Sequence, residues 1–167
     1  MNTQEIYANI TGFPKYQIST FGNIKNVRTG RILKPGIDGA GYYKVTLRNN
    51  GYSSNKNIHK LVASEFLENP DSKNCVDHID RDKTNNHILN LRWATIIENG
   101  QNRSIGSNNK SGVIGVDFHK KNQKWRAQIK ADGRRIYLGS FEDKNDAIVA
   151  RENAEMRYFG SFRSTNI

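Results

Sequence analysis

The sequence predicts an α+β protein. It reads as a small N-terminal antiparallel β region, a central strand–strand–helix core, and a C-terminal three-stranded antiparallel sheet backed by one helix. Three observations carry that prediction. Residues 5–60 hold short runs that alternate apolar and polar side chains between glycine-rich breaks, the period of half-buried strands. Residues 58–67 place Ile58, Leu61, Val62, Phe66 and Leu67 at helical spacing. Near the C-terminus, three more alternating runs precede a helical segment. Its Ala147, Ala150, Ala154 and Tyr158 share one face, where small side chains let the helix lie close on a sheet.

Taken in order, "KYQIST", "GNIKNV", "GRILKP" and "GYYKVTLR" read as strands. The helix "NIHKLVASEFL" follows and is ended by the proline and turn formers of "ENPDSKN". Residues 75–79 form a strand, 80–87 a polar turn and 89–94 a second strand. Residues 95–103 then form a helix opened by Thr95 as N-cap, with Glu98 three residues on. The Ser/Asn/Gly-rich "NRSIGSNNKSG" is a linker. Residues 113–118, 124–131 and 134–139 are strands turning at "KKNQ" and "DG", and 143–159 is the last helix. The segments are therefore 1–57, 58–103, a linker at 104–110, and 111–167.

Net charge is +10, from 26 Lys and Arg against 16 Asp and Glu. That excess points to a polyanionic partner, of which DNA or RNA fits best. No apolar run approaches the ~20 residues of a bilayer crossing, and "MNTQEIYANITGF" lacks the regions of a secretory signal. Cys75 is the single cysteine, so an internal disulfide and a thiolate zinc cage are both excluded. The reading is a soluble, intracellular protein, in the host cytoplasm if phage-encoded, with no membrane partner.

The charge is uneven. Residues 1–64 carry nine Lys and Arg against two acids, residues 100–167 thirteen against seven, but residues 65–99 four against seven. An acidic centre repels a phosphate ligand unless a bound divalent cation inverts the local sign. The alternative is that Asp80, Asp82 and Glu65 solvate a turn and a helix face.

Phosphodiester hydrolysis needs a base to activate water and a cation to stabilise the phosphate and the leaving oxygen. In "CVDHIDRDKTNNHILNLRWATIIENGQNR", His78 has a pKa suited to that base. Asp77 offers a hard oxygen for Mg²⁺ or Mn²⁺, and Asn99 a second, neutral one. Asn90 stands at the mouth of the second strand, placed to tie the strands together and hold His78. Strand neighbours point to opposite faces, so the site requires the strand to end or kink at Asp77–His78. An Asp-His pair taken alone fits a structural role as well as a catalytic one. His59 reads as a packed or capping histidine, and His87 as a solvated turn residue.

The run "HKLVASEFL…VDHIDRDKTNNHILNLRWATIIEN" resembles the HNH (ββα-metal) endonucleases of phage introns and mobile elements, in the group with Asn at the last His position. The resemblance covers residues 58–103. It implies a ββα-metal nuclease core with one Mg²⁺ or Mn²⁺ ion on Asp77 and Asn99, His78 as general base and Asn90 as the loop-fixing residue. The N-terminal "ITGFPKYQISTFGNIKNVRTGRILKP" resembles the DNA-contacting motif that precedes phage HNH nucleases. It implies Lys25, Arg28, Arg31 and Lys34 as contacts. Arg103, one helical turn after Asn99, reads as a phosphate contact or a linker charge.

The segment "SGVIGVDFHKKNQKWRAQIKADGRRIYLGSFEDKNDAIVARENAEMRYFG" is similar to the Apetala-type DNA-binding domain of plant ethylene-response factors. Such a domain lays its sheet in the major groove. The resemblance implies His119, Arg126, Gln128, Lys130, Arg135 and Tyr137 as contacts, with Trp125 as packing. Ile114 and Asp117 stand where plant members have arginine, so the plant target does not transfer. The expected function is a metal-dependent, sequence-tolerant homing endonuclease that nicks double-stranded DNA as a monomer, without an obligate protein partner. The alternatives are a sequence-specific regulator with an inactive nuclease core, or a less selective degradative nuclease.

Overall fold

The computed structural model describes residues 4–131 and 133–163, and the chain divides into two units, residues 1–99 and 100–167. The expected α+β class is what the chain forms.

In the first unit, β1 (Tyr7–Asn9), β2 (Tyr16–Ser19) and β3 (Ile24–Asn26) make one antiparallel sheet. A second sheet contains β4 (Gly36–Ile37), β5 (Tyr43–Asn49) and β6 (Tyr52–Asn57), with β5 in the middle. β7 (Cys75–His78) and β8 (Leu91–Ala94) form an antiparallel pair. Helix α1 (Ile58–Phe66) touches strands of all three. It buries Ile58, Leu61, Val62 and Ala63 in one core with Ile10, Ile18, Ile24, Val45, Leu47, Val76 and Leu91. Burying each larger aliphatic side chain contributes roughly 1.5–3 kcal/mol. Residues of 1–57 and of 58–99, read from the sequence as parts of separate segments, thus share a single core. Helix α2 (Ile96–Gln101) is opened as its sequence predicts: Thr95 N–H donates to Glu98 Oε2 at 2.6 Å, and Glu98 N–H to Thr95 Oγ1 at 3.2 Å.

The second unit is a sheet of β9 (Val116–His119), β10 (Lys124–Ala131) and β11 (Arg134–Phe141), with β10 central, backed by α3 (Lys144–Phe159). Val116, Ala127, Ile129 and Ala131 face the helix residues Ala147 and Ala154. Asp143 caps α3 by accepting from Asn145 N–H at 2.6 Å.

Several boundaries differ from the sequence reading. "GRILKP" forms no strand, only an isolated bridge from Ile32 to Lys25. There the Asn26 side chain accepts from the N–H groups of Arg28 and Thr29 and curls the chain into a turn. The second central strand starts at Leu91, because Ile88–Asn90 make a 3₁₀ turn capped by His87 Nδ1. β9 starts at Val116, since Asn109 and Ser111 hold the preceding residues in a turn. β11 runs on to Phe141. The turn expected at "DG" includes residue 132, outside the described residues. Among the described residues, no helix is long and apolar enough to cross a membrane.

Candidate active site

The β7–β8 register sets Asp77 directly opposite Arg92 and His78 opposite Leu91. Arg92 Nε and Nη2 both donate to Asp77 Oδ2, at 2.8 and 2.6 Å. The carboxylate is 5% exposed, and Arg92 supplies the counter-charge that a buried anion requires. β7 ends at His78: Ile79 N–H donates to Asn90 O, and Arg81 N–H donates back to His78 O.

His78 is buried among aromatic groups. Its ring centroid lies 5.0 Å from that of His59, edge-on, and 5.8 Å from that of Tyr42. Its Nε2 is 3.2 Å from Asn86 Oδ1. The Asn86 amide donates its NH₂ to Thr84 O at 3.2 Å, which turns the oxygen towards His78. A carbonyl-type oxygen accepts only, which assigns the proton of this contact to His78 Nε2. Burial is the main influence on His78 and lowers its pKa. The Asn86 hydrogen bond and the charges of Asp80, Asp77 and Asp82 oppose it in part. His78 therefore rests as the neutral imidazole a general base requires. His59 is pushed down to about 4, chiefly by burial and then by His78, and it is likewise neutral.

The segment between the strands is held by its own side chains. Asn90 Oδ1 accepts from Asp80 N–H at 3.0 Å, and its Nδ2 donates to Asp80 Oδ1 and to Asn85 O, both at 2.8 Å. Asp80 also accepts from Asp82 N–H and from Asn85 Nδ2. Burial alone would raise the Asp80 pKa, but these hydrogen bonds bring it below its ordinary value. The first sheet supports the same segment from outside. Ile88 N–H donates to Thr20 O at 2.8 Å, and Phe21 stacks on His87. His87 is thus a capping and stacking residue, a correction to the solvated role read from the sequence.

Asp77 and Asn99 are the two oxygen donors that the sequence assigns to a cation. Asp77 is buried on β7, and Asn99 is half-buried on α2. Among the described residues, no three His, Cys, Asp or Glu side chains gather as a metal-holding group. One carboxylate and one carboxamide oxygen match Mg²⁺ or Mn²⁺, which keep several waters and need no all-protein cage. The donor chemistry fits, with the added feature that Arg92 already holds Asp77 Oδ2.

The expected nucleic-acid contacts are accessible. Lys25 lies half-buried over the Tyr7 ring, while Arg28, Arg31, Lys34 and Arg103 are exposed. On the sheet of the second unit, Lys130, Arg135 and Tyr137 are exposed and His119, Arg126 and Gln128 half-buried, with Trp125 packed in the core beneath. The sequence reading missed Arg92, Asn86 and the closeness of His59 to His78. It also missed the exposed polar face of β5 and β6, where Thr46, Arg48, Ser53 and Asn55 stand in cross-strand pairs. The alternation in "KVTLR" was the available signal for that face.

Comparison with known proteins places this geometry in context. A family profile described as HNH endonuclease matches residues 58–101, and one described as the NUMOD4 motif matches residues 5–48. The DNA endonuclease I-HmuI of Bacillus phage SP01 is 35% identical over 121 residues, covering 71% of this chain and 68% of that protein. An uncharacterized HNH endonuclease of Acanthamoeba polyphaga mimivirus, L247, is 44% identical over 95 residues, or 55% of this chain. The chain spans about a quarter of the length of the two mimivirus relatives it matches. A solved structure of DNA binding and cleavage by the HNH homing endonuclease I-HmuI aligns with TM-score 0.57 and 30% identity, over 79% of this chain and 76% of that one.

Proposed function

The chain belongs to the HNH endonuclease family, and from that premise we propose that it hydrolyses phosphodiester bonds in double-stranded DNA. The observation that carries the reading is the setting of His78: a buried, neutral imidazole whose protonated nitrogen is fixed by Asn86, on the strand beside Asp77. His78 Nδ1 takes the proton of the attacking water, and Asn86 together with the edge-on His59 ring keeps the imidazole from turning. Asn90 fixes the turn that ends β7, so the base stays at the end of its strand. A Mg²⁺ or Mn²⁺ ion on Asp77 and Asn99 supplies, when bound, positive charge for the phosphate and the leaving oxygen. The products carry 5′-phosphate and 3′-hydroxyl ends.

One such site per chain cuts one strand per visit, so the reading is a nicking enzyme of the homing type, tolerant of sequence variation and acting as a monomer. Exposed Arg28, Arg31, Lys34 and Arg103, with Lys25, contribute salt-sensitive phosphate contacts. The sheet of the second unit adds base reading in the manner of the Apetala-type domains. Its support is a three-stranded antiparallel sheet backed by one helix, with a basic outer face.

Supercoiled plasmid bearing the target, incubated with protein and Mg²⁺ or Mn²⁺, tests the proposal. The expected product is the open circle, abolished by EDTA and by His78→Ala while gel-shift binding stays within a few-fold. Binding without relaxation under any divalent ion would identify a DNA-binding regulator instead.

A further inference from the structure

Arg126 lies on the middle strand β10, between Asp117 of β9 and Ser140 of β11. Its Nε and Nη2 donate to one atom, Asp117 Oδ2, at 3.1 and 2.6 Å. The side chains are 41% and 40% exposed, too solvated for the pair to add much to stability. What the pair does fix is direction. Side-on capture through Nε and one Nη2 proton leaves the end of the guanidinium fork, one N–H from each Nη, turned away from Asp117. The spacing of that fork matches O6 and N7 of guanine in the major groove.

Charge sharpens the assignment. Asp117 cancels the charge of Arg126, so the pair is a poor phosphate anchor, whose affinity comes from net positive charge and counterion release. Lys130 and Arg135 pair across β10 and β11, are exposed, and make no ion pair among the described residues. They are suited to the phosphates. We propose that Asp117 is a positioning residue that holds Arg126 end-on to read one guanine, while Lys130 and Arg135 grip the DNA backbone. This rests on the reading of the C-terminal sheet as a DNA surface.

The test is binding-site selection from a randomised duplex library with the full chain carrying His78→Ala, so that bound DNA is not cut. The wild-type sheet should show one position with strong guanine preference. Asp117→Ala and Arg126→Lys should each lower discrimination at that position by about ten- to a hundredfold. Asp117→Asn, whose amide oxygen still accepts from Nε, should fall between, and preferences elsewhere should persist. Affinity for random DNA should not fall in Asp117→Ala. Unchanged guanine preference in Asp117→Ala, or no such position at all, overturns the inference. Lys130→Ala with Arg135→Ala separates the two levels. If that variant binds as tightly as the parent, with the same salt dependence, the DNA-surface reading itself fails.

Discussion

Replacing Arg92 by Leu should cost the first unit stability in the absence of divalent ions, and Mn²⁺ should restore much of it. The guanidinium places two hydrogen bonds, 2.8 and 2.6 Å, on a carboxylate with 5% exposure. Its removal takes both of those hydrogen bonds and their counter-charge from Asp77 in a low-dielectric setting, a loss of about 3–5 kcal/mol. For a unit of this size, each kcal/mol moves the midpoint by roughly 4–8 °C, so the fall should exceed ~10 °C. On the proposed reading, a divalent cation on Asp77 is an alternative counter-charge. It stabilises by mass action, and more strongly in the variant, where Asp77 no longer has to be shared with Arg92. The assay is thermal unfolding followed by circular dichroism, with and without EDTA and with Mn²⁺, for the parent, Arg92→Leu and the control Asp77→Asn. A loss below ~1 kcal/mol in EDTA, or equal Mn²⁺ shifts in parent and variant, would refute the account of Asp77 as a charge that Arg92 and a metal compensate in turn.

Three further outcomes follow from the same geometry. His59 folds with a pKa of about 4 against an ordinary 6.5, so the unfolded chain binds more protons between these values. Its contribution, up to ~3 kcal/mol, is full above pH 6.5 and lost as the pH falls towards 4; urea unfolding at pH 7 and 4.5 should show a smaller difference in His59→Leu. Asn90→Ala removes three side-chain hydrogen bonds from the turn. A loss of about 2–4 kcal/mol is expected, together with slower cleavage; wild-type stability would mean that the turn holds without it. Gly22→Ala forces a side chain onto a backbone at φ +85°, with its Cβ 2.9 Å from Asn86 Cβ. About 2 kcal/mol should be lost. Because Asn86 contacts His78, the rate of DNA cleavage should drop further than binding does.

Local chemistry was legible in the sequence, and long-range pairing was not. The Thr95–Glu98 box and the apolar face of α1 are short-range patterns, and each occurs where the residues place it. The sheet around β5 was only partly visible. β4 is two residues long, and β6, "YSSNKN", has a single apolar side chain, so these strands exist through pairing with β5 rather than by their own pattern. Arg92 sits fifteen residues from Asp77, and only the hairpin register makes them neighbours. His59 meets His78 because α1 packs under β7, a consequence of the shared core that no spacing in the chain announces.

The carboxylates of the acidic centre are mostly engaged as hydrogen-bond acceptors within the unit itself. Asp80 is held by Asn85, Asn90 and a backbone N–H, and Asp82 by the hydroxyl and N–H of Thr84. Glu65 accepts from Thr11, and Glu98 from Thr95 N–H and Lys73. These carboxylates build turns, caps and tertiary ties. Asp77 differs in being buried and in facing an arginine across the hairpin. On the proposed reading, one ion held by Asp77 and Asn99, keeping several of its waters, supplies the positive charge that phosphate chemistry demands. It also follows that Asp80→Asn should disturb the turn far more than it changes affinity for Mn²⁺, whereas Asp77→Asn should do the reverse. Calorimetric titration beside unfolding curves of both variants measures that contrast, and equal effects on metal affinity would return the whole acidic segment to the metal site.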